Sequence, residues 1–309
     1  MIHPFFRRAF LACLLVTLPG AALAQSSSLS PSLPGELVVE RDLVIGKGGT
    51  QDLHANLAYP KEGSKLLPAI IYIHGGGWIG GSYRDCDVAR LAKAGYFAAS
   101  IEYRLSNVAK WPAQIQDCKL AVRWLRANAA KYHVDPNRIG VWGASAGGHL
   151  VACLGTMADV KEYEGEGGYL EVSSSVQAVV DYFGPTDFTY RTTYSEDAKK
   201  LTEGLFGVPR DQNEALWKSG SPAFYVKPND PPMLLIHGDA DTLVPLSQST
   251  VFDEALTKAG VPHELIIVKN GTHGFGPVPG TIVSPTQQEI ALATMAFFEK
   301  HLKADGLPK

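Results

Sequence analysis

Four short segments carry the side chains of this 309-residue chain whose types and spacing suit chemistry. Gly143-Ala144-Ser145-Ala146-Gly147 is a G-x-S-x-G that follows the apolar run 139–142 and opens an Ala/Gly-rich helical stretch. A serine on so sharp a strand-to-helix turn takes a strained backbone, and small residues two before and two after it let the turn close. The hydroxyl is then lifted above the sheet edge, beside unpaired N–H groups of the helix start. His74-Gly75-Gly76-Gly77-Trp78 follows the apolar run 69–73. Three successive glycines cost backbone entropy and are expected where main-chain N–H groups approach a ligand oxygen on which negative charge develops. The donors expected are Gly76, with Gly75 or Gly77 as its neighbour, and Ala146.

Gly271-Thr272-His273-Gly274-Phe275 offers an imidazole in a glycine-flanked loop, and His237-Gly238-Asp239-Ala240-Asp241 offers carboxylates. Serine is a weak nucleophile until a base takes its proton, and an imidazole does so near neutral pH when a carboxylate holds the ring. Asp241 stands one turn before Leu243-Val244-Pro245, where a helix begins, and is the preferred acid; Asp239 and Asp187 are its rivals. The order Ser145, Asp241, His273 is the one expected when all three sit on loops at the carboxyl ends of parallel strands. The chemistry this implies is acyl transfer through a covalent intermediate. His74 is expected to fix the glycine loop by hydrogen bonding rather than to react. Trp78 either lines a substrate pocket on the alcohol side or packs, and His149, one turn into the serine helix, reads as structural. His133, His263 and His301 read as surface residues. No His-Glu-x-x-His and no paired cysteine ligands occur, Asp239-Ala240-Asp241 lacks the glycine of a calcium loop, and no G-x-G-x-x-G follows a strand. Neither a metal nor a cofactor is therefore expected.

The elements that must position these residues alternate. Residues 37–45 and 53–59 read as an opening antiparallel pair, and 69–74, 96–103, 139–143, 176–182, 233–237 and 264–269 as further strands. Helical periodicity covers 113–131, 146–157, 246–259 and 287–303. Strands alternating with helices predict a parallel sheet covered on both faces, in one domain over residues 36–305. Residues 159–175 and 188–226, the latter with a weak helix around 214–217, break the alternation and are candidate walls over a site. Their Tyr163, Tyr169, Tyr190 and Tyr194 would either stack on a sugar or aromatic group or simply pack.

With 45% hydrophobic and 19% charged residues the chain is no disordered segment, and its net charge of -3, without long charge runs, argues against a nucleic-acid partner. Residues 1–24 read as an export signal: Arg7 and Arg8, an apolar run over 9–18, a Pro19-Gly20 break and Ala22-Leu23-Ala24 before Gln25. The run is too short to span a bilayer, so a periplasmic or extracellular chain, with no membrane contact after cleavage, is expected. Residues 25–35 read as a flexible leader. Of Cys86, Cys118 and Cys153, the pair expected to bridge in an oxidising compartment is Cys86–Cys118, with Cys153 as a buried small hydrophobe. No oligomeric state is readable.

HGGGW, GASAGG, HGDADTLVP and GTHGF, in that order, resemble the α/β-hydrolase superfamily over nearly the whole chain after the signal. Within it the chain resembles the esterase/lipase group and its bacterial feruloyl and acetyl-xylan esterase-like (BD-FAE-like) branch, to which residues 117–130 and 139–149 are also similar. It departs from hormone-sensitive-lipase-like esterases, which usually carry an aspartate where Ala144 stands. HGDADTLVP instead resembles prolyl-oligopeptidase-type and dienelactone-type hydrolases. The resemblance implies an α/β-hydrolase fold: a mostly parallel twisted sheet, helices on both faces and a small lid or insert. It implies that Tyr103-Arg104 lies beside the glycine loop, as a brace or as a plain ion pair. It implies a secreted serine carboxylesterase acting on a small-molecule or polysaccharide-linked ester, with acetyl or feruloyl groups of plant polysaccharide as candidate acyl groups. Two alternatives stand. One is a prolyl-oligopeptidase-like peptidase or amidase, although roughly 110 residues before Ser145 leave no room for a propeller. The other is a non-catalytic binding protein on a hydrolase fold, which the complete reactive set argues against.

Overall fold

Strand β1 (Leu37–Gly48) turns back into β2 (Gln51–Pro60) as an antiparallel ribbon. Of the strands that follow, the central ones are largely buried on both faces and read as near-continuous apolar runs, as parallel strands do, whereas the last, at the sheet edge, exposes Glu264 and Ile267. These later strands are β3 (Leu67–Ile73), β4 (Phe97–Ile101), β5 (Val134–Ala144), β6 (Ala178–Tyr182), β7 (Met233–Gly238) and β8 (His263–Val268). In this computed structural model, which describes residues 36–61, 63, 65–190 and 195–303, they form one eight-stranded sheet of order β1-β2-β4-β3-β5-β6-β7-β8. β2 meets β4 antiparallel, and all later pairings are parallel. The expected signal (1–24) and leader (25–35), Tyr194, and the last two residues of the expected domain lie outside the described residues.

Side chains alternate between two cores, as the two-residue strand period demands. Ile71, Ile73, Phe97, Ala99, Val179 and Leu235 face one core; Ile70, Ala98, Val180 and Leu234 face the other. Helices α2 (Ala113–Ala127) and α3 (Ala146–Thr156) cover the first face, and α1 (Val88–Lys93) covers the second. Between β6 and β7 the chain inserts α4 (Glu196–Phe206) and α5 (Glu214–Ser219). Then α6 (Ser247–Ala259) joins the first face, and α7 (Gln287–Phe298) joins the second behind a Thr286/Glu289 capping box.

Three expectations change. α4 and α1 form where no helix was read. The helix expected over 287–303 is α-helical only to Phe298 and continues as a π turn over Glu299–Lys303. The expected Cys86–Cys118 bridge does not form: Cys118 is a free thiol buried in the α2 face, whereas Cys86 packs against the opposite core. Among the described residues no helix is long and apolar enough to cross a membrane.

Connections from β3 run to β4 on one side, and the chain then crosses to β5 on the other side. Loops leaving the carboxyl ends of β3 and β5 therefore diverge and leave a crevice between them, where open α/β sheets hold their ligands. The glycine loop leaves β3 there, and Ser145 leaves β5.

Candidate active site

Ser145 ends β5 and starts α3 with φ +57° and ψ -118°, a conformation costly for any residue with a Cβ. Packing holds it there. Its N–H donates to the Tyr182 carbonyl at 2.8 Å, and its own carbonyl accepts the His149 N–H at 3.0 Å. The flanking glycines are required by space: a Cβ on Gly147 would fall 2.1 Å from the Ile73 carbonyl oxygen, and one on Gly143 would fall 2.4 Å from that of Gly147. Close packing of the turn against the end of β3 is thus bound up with the identity of its neighbours.

His273, on the loop after β8, points Nε2 at Ser145 Oγ, 3.0 Å away. Its Nδ1–H donates to Asp241 Oδ2 at 2.7 Å. Asp241, in the turn after β7, spends its other oxygen on the N–H groups of Leu243 and Val244, both at 2.9 Å. Burial works to raise its carboxyl, but hydrogen bonds from His237 and His273 outweigh burial and hold it below the ordinary carboxylate range. The rival acids take other work. Asp239 accepts the Asn270 N–H at 2.6 Å and so fastens the loop that carries His273. Asp187 caps its own turn through Thr189 and Tyr190.

The glycine loop after β3 is closed on itself. The Gly76 carbonyl accepts from Ile79 and Gly80, at 3.1 and 3.0 Å. Gly76 takes φ +115° and Gly77 φ +59°. Gly77 and Trp78 line the same cavity as Ser145, and Ala146 supplies the first amide of α3, one of the donors a helix start leaves unpaired. The His74 ring is buried and bonded through Nδ1 to the Gly75 carbonyl at 2.8 Å, and burial lowers its pKa. Tyr103 stacks on that ring at 4.3 Å and donates to the His74 carbonyl at 3.0 Å, so it braces the loop. Arg104 is an ion pair with Asp117.

Trp78 both packs and lines. Its indole N–H donates to His149 Nδ1 at 3.2 Å, and His149 Nε2–H donates to the Gly220 carbonyl at 2.7 Å. The buried imidazole, its pKa pushed down to about 4 by burial, is therefore a neutral link between glycine loop, serine helix and insert. Tyr163, among the tyrosines expected to pack or to stack on ligand, packs: its hydroxyl donates to the Ser219 carbonyl.

Five participants escaped the sequence reading. His237 was seen only as part of a motif; its Nε2 lies 3.5 Å from Asp241 Oδ2 while donating to the Val244 carbonyl at 2.8 Å. Phe183 sets its ring edge-on to His273 at 4.6 Å. Ala198, Leu201 and Thr202 of α4 wall the serine cavity. The signal for α4 was present as Ser195 at the cap, Gly207 at the stop, and helical spacing between them. Among the described residues no group of three or more His, Cys, Asp or Glu converges to hold a metal.

The BD-FAE family model matches residues 55–256. Esterase LipC of Mycobacterium tuberculosis (strain ATCC 25618 / H37Rv) is 35% identical over 241 residues, 74% of this chain and 58% of LipC. The chain thus spans little more than half the length of that relative. A solved truncated carbohydrate esterase from gut microbiota is 33% identical, with a TM-score of 0.76 over 89% of this chain and 99% of that one. An acetyl ester-xyloside bifunctional hydrolase from Caldicellulosiruptor lactoaceticus is 29% identical, with a TM-score of 0.66 over 82% and 87% of the two chains.

Proposed function

The chain belongs to the BD-FAE family, and from that membership we propose that it is a serine carboxylesterase acting through an acyl-enzyme. The observation that carries this reading is the continuous hydrogen-bonded line from Ser145 Oγ to His273 to Asp241. His273 is bonded through Nδ1–H to a carboxylate, so Nε2 is free to accept a proton.

Ser145 Oγ attacks the ester carbonyl carbon while its proton passes to His273 Nε2. The oxygen that gains charge is held by amides of the Gly76–Gly77 loop and Ala146, each such donor being worth ~10²–10³ in rate. Collapse of the tetrahedral adduct breaks the bond to the alcohol, which leaves with the proton from His273. Water then gives a proton to the same nitrogen, attacks the acyl-serine and releases the acid. Asp241 stays ionised throughout and steadies the imidazolium.

Similarity to a carbohydrate esterase and to an acetyl ester-xyloside hydrolase supports esters carried on carbohydrate, with acetyl as the acyl candidate. The charge pattern of residues 1–24 supports export with cleavage after Ala24, so that the working chain starts at Gln25 in the periplasm or outside the cell. Hydrolysis of nitrophenyl acetate by the wild type and by Ser145→Ala tests the mechanism. The variant is expected to lose roughly 10⁶ in turnover; activity retained by a folded Ser145→Ala protein rejects it. A matched acetanilide, expected to turn over far more slowly than the ester, separates an esterase from an amidase.

A further inference from the structure

The cavity at Ser145 is small. Its free volume is about 20 Å³, against the ~10–15 Å³ that one water molecule needs. Its walls are almost wholly apolar: Trp78, Pro185, Ala198, Leu201, Leu243 and Val244 stand around the serine. His273, whose Nε2 must face the leaving oxygen, is not among these walls. Resting on the esterase reading, we propose that this cavity receives the acyl group and that Leu201 of α4 limits that group to acetyl or one comparably short. Medium-chain acyl groups, and feruloyl with its ring on a three-carbon arm, are excluded.

Leu201 is pressed onto the glycine loop. Its two methyl carbons lie 2.8 and 2.9 Å from where a Cβ on Gly77 would stand, so the leucine rests on the bare α-carbon of an expected oxyanion donor. The side chain stands on a helix whose C-terminal end is anchored to the body of the domain. Ser195 caps its start, and Gly207 ends it in the left-handed region. Leu205 and Phe206 are buried, with the Phe206 ring stacked on Trp217 at 4.9 Å. The Leu205 carbonyl accepts the Trp111 N–H at 3.0 Å, and the Gly204 carbonyl accepts from Lys110 Nζ at 2.7 Å. An acyl chain that outgrows the cavity must therefore displace the Leu201 side chain or leave the oxyanion donors.

The test is kcat/KM for nitrophenyl acetate, butyrate and octanoate, and for methyl ferulate, with the wild type and with Leu201→Ala and Leu201→Phe. In the wild type the value is expected to fall roughly 100-fold or more from acetate to octanoate, since each misplaced methylene in an apolar pocket costs about tenfold or more. Leu201→Ala is expected to raise the octanoate-to-acetate ratio at least tenfold, and Leu201→Phe to lower the butyrate-to-acetate ratio. A flat chain-length profile, or efficient release of ferulate, overturns the size limit while leaving the esterase reading intact. A steep profile that neither folded variant changes overturns the part given to Leu201. If a variant fails to fold, the wild-type series still decides the limit and the other variant decides the residue. Absence of turnover on every ester overturns the esterase reading, and this inference with it.

Discussion

Asp239 and Asp241 stand two positions apart on one turn, and backbone direction alone gives them different work. Asp241 is buried and has both oxygens engaged, one by two amides and the other by the His273 ring. Asp239 is exposed and fastens Asn270. Replacing Asp241 by asparagine keeps the shape but offers an N–H where His273 needs an acceptor, so the ring loses the tautomer that serves the serine. Turnover of nitrophenyl acetate is expected to fall about 10³–10⁴-fold. Asp239→Asn keeps an oxygen for the Asn270 amide and is expected to stay within a factor of about three in turnover, with stability changed by no more than about 0.5 kcal/mol. Equal losses in the two variants would mean that the carboxylates share the task.

At the level of elements, α2 carries the feature least legible in the sequence. Lys119 and Arg123 stand one helical turn apart, and both charged side chains are fully buried. Glu164 holds them: its Oε1 accepts from Lys119 Nζ at 2.8 Å, and its Oε2 pairs with Arg123. Burial pulls the Lys119 ammonium down in pKa, and the Glu164 pair works against it. Removing Glu164 leaves two buried cations without an anion, so Glu164→Ala is expected to cost about 3 kcal/mol or more in urea unfolding. Glu196→Ala breaks an exposed pair with Lys199 and is expected to leave the midpoint in place; equal shifts would refute the distinction. Such a hub hides from a local reading because its anion lies 41 to 45 residues further along the chain. The same holds for His149, whose ring partners Trp78 and Gly220 are each 71 residues away. By contrast, the parallel strands were legible because a strand buried on both faces is a short apolar run. The reactive loops were legible because each leaves a strand through glycines. α4 was overlooked because Glu196, Lys199, Lys200 and Glu203 face outward among turn residues, so the stripe through Ala198, Thr202 and Leu205 was read as part of a loop.

The molecule as a whole buries two titratable groups near the serine turn whose effects on stability oppose each other. Burial pushes the His149 imidazole down from 6.5 to about 4. Between those pH values the unfolded chain binds a proton that the folded one refuses, so stability rises with pH and is complete above about 6.5. Burial pushes the Asp181 carboxyl up from 3.8 to about 6, against a hydrogen bond from the Gly184 amide that favours the charged form. There the folded chain keeps a proton that the unfolded one has released, so stability falls as pH rises across that window. Each contribution amounts to about 3 kcal/mol over its window, and between pH 4 and 6 the two nearly cancel. The wild type therefore hides both, and single variants expose them. Relative to wild type, His149→Gln is expected to lose stability progressively as pH rises from 4.5 to 6.5. Asp181→Asn is expected to gain it over pH 4.5 to 6. Urea unfolding at half-unit steps measures both differences, and subtracting wild type removes the background from His74, His301 and the surface carboxylates. Differences that run the same way with pH in the two variants, or that stay flat, would show that the two buried groups do not oppose each other in the folded protein.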